Sequence, residues 1–444
     1  MDRCSAYVEK HRQRILDALE YIWKNPETGY REWKTHRYLA DIFEKLGYTV
    51  TPAGNIPGFT ADIDTGLPGP TLAIFAEMDA LLIPDHPESD SDTGAVHACG
   101  HCTQCAAMVG IAAALKEPGA LEGLCGKIKL VVVPAEELIE IEYRLGLREK
   151  GVIRYLGGKP EFLYRGLLDG VDLSFMVHGA KRSYINGGSN GLVAKELIFE
   201  GVSAHAGAEP HKGINGLYAA NLALNAINAL RETFRDSDHI RVHPIITQGG
   251  ASVNAVPDRV RLESYVRGGD MDAVRDANGK VNRAAAACAA AMGAKLRIRD
   301  VHGYWPRIYG QDFIGVFGEA ARLMELPFVN EPFSWGGGSS DLGDMGALMP
   351  AIHPYIAGGA GTEHGADFRI ADPETACVKS ALWQILTLKL LLGDGGVRAK
   401  EIIGNYRPVF ENKEAYFAYV DGLNMEKETV CYREDGTVVL AYRN

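Results

Sequence analysis

This chain of 444 residues contains no run of about 18 apolar residues, the length a membrane-spanning helix requires. Its first residues, MDRCSAYVEKHRQRIL, mix charges from the start and lack the continuous apolar core of a signal peptide. A cytoplasmic protein with no membrane partner is therefore expected. Basic charge is also scarce: 46 Lys and Arg face 57 Asp and Glu, a formal net charge of −11. Affinity for a phosphate backbone needs a basic face, so no nucleic-acid partner is expected. The eight cysteines lack the spacing of a small secreted disulfide framework and read as reduced thiols. Internal repeats and low-complexity segments are absent. The glycine-rich run WGGGSSD (Trp335 to Asp341) has no Gly-Lys-Ser/Thr and so is not a phosphate loop. What remains is an ordinary globular balance, 46% hydrophobic and 23% charged, long enough for two or three domains.

Apolar runs alternate with helical periodicity through the first part. Residues from about Ala6 to Tyr48 read as two helices around the turn NPETGY, the second closed by Gly47. TLAIFA, IKLVVVP and VDLSFMVH read as buried strands, and AAMVGIAAALK as an apolar helix between the first two. Continuous apolar strands separated by helices predict an α/β domain with a mostly parallel sheet flanked by helices. The texture changes near Gly187. From there a β-α-β-β-α-β order predicts an inserted ferredoxin-like α+β domain. The expected division is 1–186 and 303–444 for the larger domain, with 187–302 inserted and a C-terminal extension from about 395. Asp435-Gly436 reads as the turn of a late hairpin.

Polar residues follow three of the strands: Glu77 and Asp79, then Glu136 and Glu137, then His178. Parallel sheets bind ligands outside the carboxyl ends of their strands, so neighbouring strands would converge these groups. Clustered carboxylates repel unless a cation sits among them, which points to a metal site. HACGHCTQC adds His97, Cys99, His101, Cys102 and Cys105; Cys99 and His101, two apart, project to one side of an extended chain. One member of the Glu136-Glu137 pair can bind metal while the other faces the cleft as a base. Taken singly, each signal has an ordinary reading. A carboxylate pair after a strand is a solvated loop or helix cap, and a lone His is a hydrogen-bonded structural residue. Cys102, Cys105, Cys125, Cys288 and Cys377 read as small core hydrophobes. The coincidence at several strand ends is what favours a metal.

In order along roughly residues 10 to 395 stand NPETGYREWKTHRYLADIFEKLGYTV, EMDALLIP, HACGH, VVVPAEE and MVHG. GVSAHAGAEPHKGINGLYAA, SVNAVPDRVRLESYVRG, SSDLGDMGALMPAIHPYI and TEHGADF follow. With this ordered set the chain resembles the dimetal aminoacylase/carboxypeptidase superfamily of metallopeptidases. The nearest branch is that of the amidohydrolases which include indole-acetyl-amino-acid and aminobenzoyl-glutamate hydrolases. The resemblance implies that Cys99, His101, Glu137, His178 and His364 bind two divalent ions per subunit, zinc or manganese. It makes Glu136 the general base for a water between them, and Asp79 a residue behind the ligands. His205 would steady the oxyanion, and Asn254 and Arg267 would contact the substrate. The inserted domain would be a lid and dimerisation domain of a homodimer. The implied reaction is hydrolysis of the amide bond in a small N-acyl amino acid, amino-acid conjugate or dipeptide-like substrate.

Two departures stand out. Cys102 and Gln104 occupy positions where the branch has Asp or Asn and often a further His. The segment after Glu137, LIEIEYRLGLREKGVIRYLGGKPEFLYRG, is longer than the usual glycine-rich loop and is expected to shape the substrate pocket. Two other classes of function compete. Cys99, Cys102 and Cys105 have the gaps of an iron-sulfur or redox site, which would leave Glu136, Glu137, His178 and His364 unexplained. A non-catalytic binding protein on the same scaffold would keep all these residues without turnover.

Overall fold

The computed structural model describes residues 3–443, which form two compact units. The first comprises the chain up to Gly188 together with Ile308–Trp335 and Ser340–Glu411; the second comprises Ser189–Arg307, Gly336–Ser339 and the chain from Asn412 onward.

The first unit is built on a six-stranded sheet in the order Val50–Pro52, Phe59–Asp64, Lys127–Val133, Thr71–Glu77, Leu173–Phe175, Ala351–Ile352. The last four run parallel, and the first two join antiparallel at one edge. The largely apolar runs IKLVVVP and TLAIFA suit strands buried on both faces. The helix His101–Leu115 is buried at every position, so it shows no polar face to solvent. It packs between Arg12–Trp23 and Ser380–Leu392. Gly110 permits that closeness, since a Cβ there would lie 2.5 Å from Cδ1 of Ile15. The helix Glu374–Leu392 is long and apolar enough to cross a membrane by length and composition, but 78% of its apolar window is buried inside the molecule. The N-terminal region forms three helices rather than the expected two, because the first run breaks at His11 into Arg3–Lys10 and Arg12–Trp23.

In the second unit an antiparallel sheet runs Arg241–Val242, Arg259–Gly268, Gly191–Glu200, Lys295–Tyr304, Met425–Glu428, with Ile245–Gln248 also paired to Arg259–Gly268. Burial alternates along Arg259–Gly268 with the period of two that its sequence shows. Helices Gly216–Ala229 and Met271–Ala291 pack together through Ala219, Ala220, Ala223, Ala285, Ala286 and Ala289, small side chains that let them settle on the sheet. Each begins at a capping side chain, Asn215 and Asp270, which accept backbone N–H bonds of 2.9 Å from Leu217 and Ala273. The observed division differs from the expected one at the tail. Val397–Asn405 packs in the first unit, whereas Met425–Glu428 extends the second unit's sheet along the edge of Lys295–Tyr304. An open sheet edge is a template for any extended segment, and MEKE carries no sequence signal of its own. Val430–Tyr432 and Val438–Leu440 pair as the hairpin around Asp435 and Gly436.

Candidate metal centre

Because four strands run parallel, their carboxyl ends open on one edge of the sheet. Thr71–Glu77 delivers Glu77 and, just beyond, Asp79. Lys127–Val133 leads into Glu136 and Glu137 through Ala135, whose φ of 60 lies in the left-handed region. Leu173–Phe175 leads to His178. Cys99 precedes the helix His101–Leu115, which starts after Gly100 at φ 89. His364, at φ 60, is tied by its backbone N–H to the carbonyl oxygen of Ala98 at 3.1 Å.

These segments bring two donor groups together. Cys99, His101 and His178 place their donor atoms within 4.8 Å of one another, and so do Cys99, Glu137 and His364. Cys99 belongs to both, with its Sγ 3.4 Å from Nε2 of His178. The imidazoles are oriented from behind. His178 Nδ1 faces the carbonyl oxygen of Gly179 at 2.7 Å, and His101 Nδ1 faces the carbonyl and carboxylate oxygens of Asp79, both at 3.0 Å. Nε2 of His101 is fully buried and lies 3.3 Å from Oε2 of Glu77 without meeting it in a hydrogen bond. A buried imidazole nitrogen turned toward carboxylates, with its partner nitrogen held by another carboxylate, has the arrangement of a metal ligand with its supporting shell. The donor set therefore fits one cation in each group. Asp79 also accepts the backbone N–H of Glu137 at 2.7 Å, so one carboxylate orients both a His and the Glu pair.

The carboxylates are tuned in opposite directions. Burial raises Glu136 well above the usual carboxylate range, and the negative charges of Glu77 and Glu137 push it the same way. For Glu77 burial opposes ionisation, but the Lys159 ammonium and the charge of His101 outweigh it and hold the group low. Glu137 is also held low, because His364 overcomes the effect of burial. Burial, and then the charge of His101, bring His178 down to about 4, so it presents a neutral imidazole. Glu77, His101 and Glu136 form a third donor group. Its compensating cation is built in: fully buried Lys159 donates to carboxylates of both Glu77 and Asp341.

The remaining predicted residues lie in the second unit. His205 and Asn254 stand on two segments joined by hydrogen bonds from Ala206 N–H to the Asn254 carbonyl and from Val256 N–H to the Ala204 carbonyl, both 2.9 Å. Backbone N–H groups of Gly207 and Ala208 point at His205 Nδ1 from 3.2 and 3.1 Å. That leaves the proton of a neutral His205 on the exposed Nε2, as a donor. The Arg267 guanidinium lies 5.1 Å from the centre of the Tyr265 ring.

Sequence reasoning missed Lys159, Arg144 and Asp341. All three are fully buried beside the site, yet in sequence they are charged residues in polar stretches like many others. The long segment after Glu137 contributes two of them, Arg144 and Lys159, behind the carboxylates. Cys102 and Cys105 point into the core, and Cys105 Sγ donates to the carbonyl of Glu77 at 3.0 Å. Among the described residues neither joins a metal-capable group, which removes the basis of an iron-sulfur site.

Residues 187–292 match the family model of the M20 peptidase dimerisation domain. The human Xaa-Arg dipeptidase is 29% identical over 369 residues, covering 80% of this chain and 79% of that protein. The indole-3-acetyl-aspartic acid hydrolase of Enterobacter agglomerans is 30% identical over 262 residues, 55% of each chain. The solved structure of the Bacillus subtilis YxeP protein, described as a dinuclear metal-binding peptidase from the M20 family, has a TM-score of 0.63 at 21% identity. That match covers 86% of this chain and 99% of that one, and it establishes the shared fold. Residues 187–292 thus match a peptidase dimerisation domain, and over most of its length the chain is similar to peptidases and amidohydrolases.

Proposed function

We propose that this protein hydrolyses the amide bond of a small N-acyl amino acid, amino-acid conjugate or dipeptide-like substrate, with two divalent cations held by the two donor groups that share Cys99. The observation that carries the reading is this pair of overlapping groups with the raised carboxyl of Glu136 beside them. Cations in these groups would supply Lewis acidity, lowering the pKa of water toward neutrality and polarising the scissile carbonyl. The thiolate of Cys99 suits zinc and the carboxylate suits manganese.

The chain's own residues then have distinct tasks. Glu136 accepts the proton of the attacking water and carries it to the leaving amine nitrogen. Positive charge in the two groups would draw Glu136 back toward ionisation, the state a base needs. Glu137, Cys99 and the three histidines hold position and charge. His205, with a donor at Nε2, is assigned to the developing oxyanion, and Arg267 to the substrate carboxylate as a bidentate partner. Asn254 is assigned to the substrate backbone. The dimerisation-domain match supports a homodimer, which sedimentation would test.

The deciding experiment strips the protein with chelator and reloads it with manganese or zinc. It then follows amine release by mass spectrometry from Xaa-Arg dipeptides, indole-acetyl-aspartate, aminobenzoyl-glutamate and N-acetyl amino acids. Metal-dependent release that disappears in Glu136→Gln, with metal content unchanged, is expected. Folded, loaded protein that releases nothing from the panel would count against the reading.

A further inference from the structure

We propose that Arg144, from the long segment after Glu137, is a positioning residue that holds the turn carrying Glu136 and Glu137 in its working shape. The inference rests on the function proposed above.

The turn is strained and must be held from outside. Ala135 sits at φ 60, in a left-handed conformation an L-residue keeps only where the surroundings dictate it. The backbone on either side of Glu136 is held at named points. The Ala135 N–H donates to buried Glu32 at 2.8 Å, and the Glu137 N–H to Asp79 at 2.7 Å. The two carbonyls flanking Glu136 share one donor: Arg144 Nη1 reaches Ala135 O at 3.2 Å and Nη2 reaches Glu137 O. A single planar guanidinium therefore fixes the separation of the peptide before Glu136 from the peptide after Glu137. Nη1 also binds the carbonyl of Leu156 at 2.8 Å, tying the turn to the far end of its own segment.

The site is built around this cation. Arg144 is fully buried in the helix Ile141–Glu149. Removing a guanidinium from water carries a desolvation cost that neutral donors to the same carbonyls would avoid. A cation there places positive charge near the Glu32 and Asp79 side chains that accept the turn's N–H groups. The NPETGY turn leaves space for it: a Cβ on Gly29 would lie 2.2 Å from Arg144 Nη2 and 3.0 Å from the Ala135 Cα. Tyr30 donates to the carbonyls of Tyr155 and Gly157 at 2.9 and 3.2 Å, and Arg31 binds the Glu140 carboxylate at 2.6 Å. The two segments thus close over the guanidinium from both sides.

The test compares Arg144→Met, Arg144→Lys and Gly29→Ala with the parent chain. Arg144→Met removes the clamp, and Gly29→Ala displaces it with the arginine still present. Turnover on the best substrate of the panel, cobalt titration followed by absorption, and urea unfolding are measured for each. Arg144→Met is expected to lose about 100-fold in kcat with KM within about threefold, since misaiming a base acts on the transition state. Cobalt affinity of the group containing Glu137 is expected to fall about tenfold, while the group of Cys99, His101 and His178 keeps its own. Gly29→Ala should reproduce both changes. Arg144→Lys should recover part of kcat, because one ammonium keeps the charge but cannot span both carbonyls.

A folded Arg144→Met with kcat within about threefold of the parent and an unchanged cobalt titration would overturn the proposal. So would a loss of activity that only tracks the folded fraction in urea. Should Arg144→Met not fold, Gly29→Ala and Arg144→Lys decide by the same two readouts. If the parent chain shows no metal-dependent hydrolysis, or Glu136→Gln equals it, the functional reading fails instead. The cobalt titration then tests Arg144 alone.

Discussion

Nε2 of His364 lies 3.1 Å from Oε1 of Glu137, joining the loop between the paired strands Gly359–Ala360 and Arg369–Ile370 to the segment after one of the central strands of the first unit. Both side chains share a donor group with Cys99, while His101 and His178 share the other. Cys99 is thus the donor common to these two groups.

That division predicts unequal effects on metal content. His364→Ala and Glu137→Ala should each lower the metal retained after dialysis from two ions per chain toward one. His178→Ala should empty the other position. Cys99→Ala should weaken both, since it removes a donor common to the two groups. Elemental analysis of dialysed protein measures this directly. Equal losses from His364→Ala and Cys99→Ala would contradict the shared-ligand arrangement.

The Glu77–Lys159–Asp341 cluster predicts a large stability effect. Lys159 is fully buried, and although burial pulls its ammonium down, the charges of Asp341 and Glu77 outweigh this and hold it above the ordinary lysine value. Lys159→Met leaves two buried carboxylates without that partner and should cost about 3–5 kcal/mol. Adding Glu77→Gln and Asp341→Asn to Lys159→Met should recover a good part of the loss. Urea unfolding of the single and triple variants tests this, and a single variant as stable as the parent would refute it.

Cysteine reactivity should divide along burial. Cys4, Cys102, Cys105, Cys125 and Cys377 are buried, whereas Cys431 is exposed. Burial pushes the Cys102 thiol up to about 12 and raises Cys105 and Cys377 well above the ordinary value. The thiolate is the reactive form, so iodoacetamide near neutral pH should label Cys431 first and these five only on unfolding. Peptide mapping after timed labelling checks this; early modification of Cys105 would show that its position in the core is wrong.

Much of the centre was legible because its signals are local. Glu136, Glu137 and His178 directly follow apolar strands, and Cys99 and His101 lie two apart in one motif, so adjacency in the sheet was enough to gather them. The ferredoxin-like order of the second unit was legible for the same reason, since its strands and helices carry clear periods of 2 and 3.6. Arg144, Lys159 and Met425–Glu428 were not. The first two are charged residues whose burial depends on where distant carbonyls and carboxylates fall. The third pairs with an edge strand more than a hundred positions earlier. A one-dimensional pattern records a residue's neighbours along the chain and not which polar groups need a partner.

The C-terminal part of the first unit offers a test that depends on pH. The Tyr406 hydroxyl donates to the carbonyl of Gly346, and Val409 N–H binds the carbonyl of Ala347 at 2.9 Å, so this stretch is tied to the helix Leu342–Gly346 and the residue after it. Burial pushes the Tyr406 phenol from about 10 up to about 12. The folded state therefore favours its neutral form. Between these values the unfolded chain loses the proton first, so the contribution is complete below pH 10 and declines as pH rises through 12. The slope is about 1.4 kcal/mol per pH unit. Tyr406→Phe removes the hydrogen bond and should cost about 1 kcal/mol at neutral pH. It should also remove this part of the alkaline loss. Tyr30 and Tyr48 are raised by burial too and act in the same sense, so the informative quantity is the difference between parent and variant. Urea unfolding from pH 8 to 12 should show that difference shrinking above pH 10. A constant difference across the range would mean that Tyr406 titrates alike in the folded and unfolded chains, and that its tie to Gly346 is not held in solution.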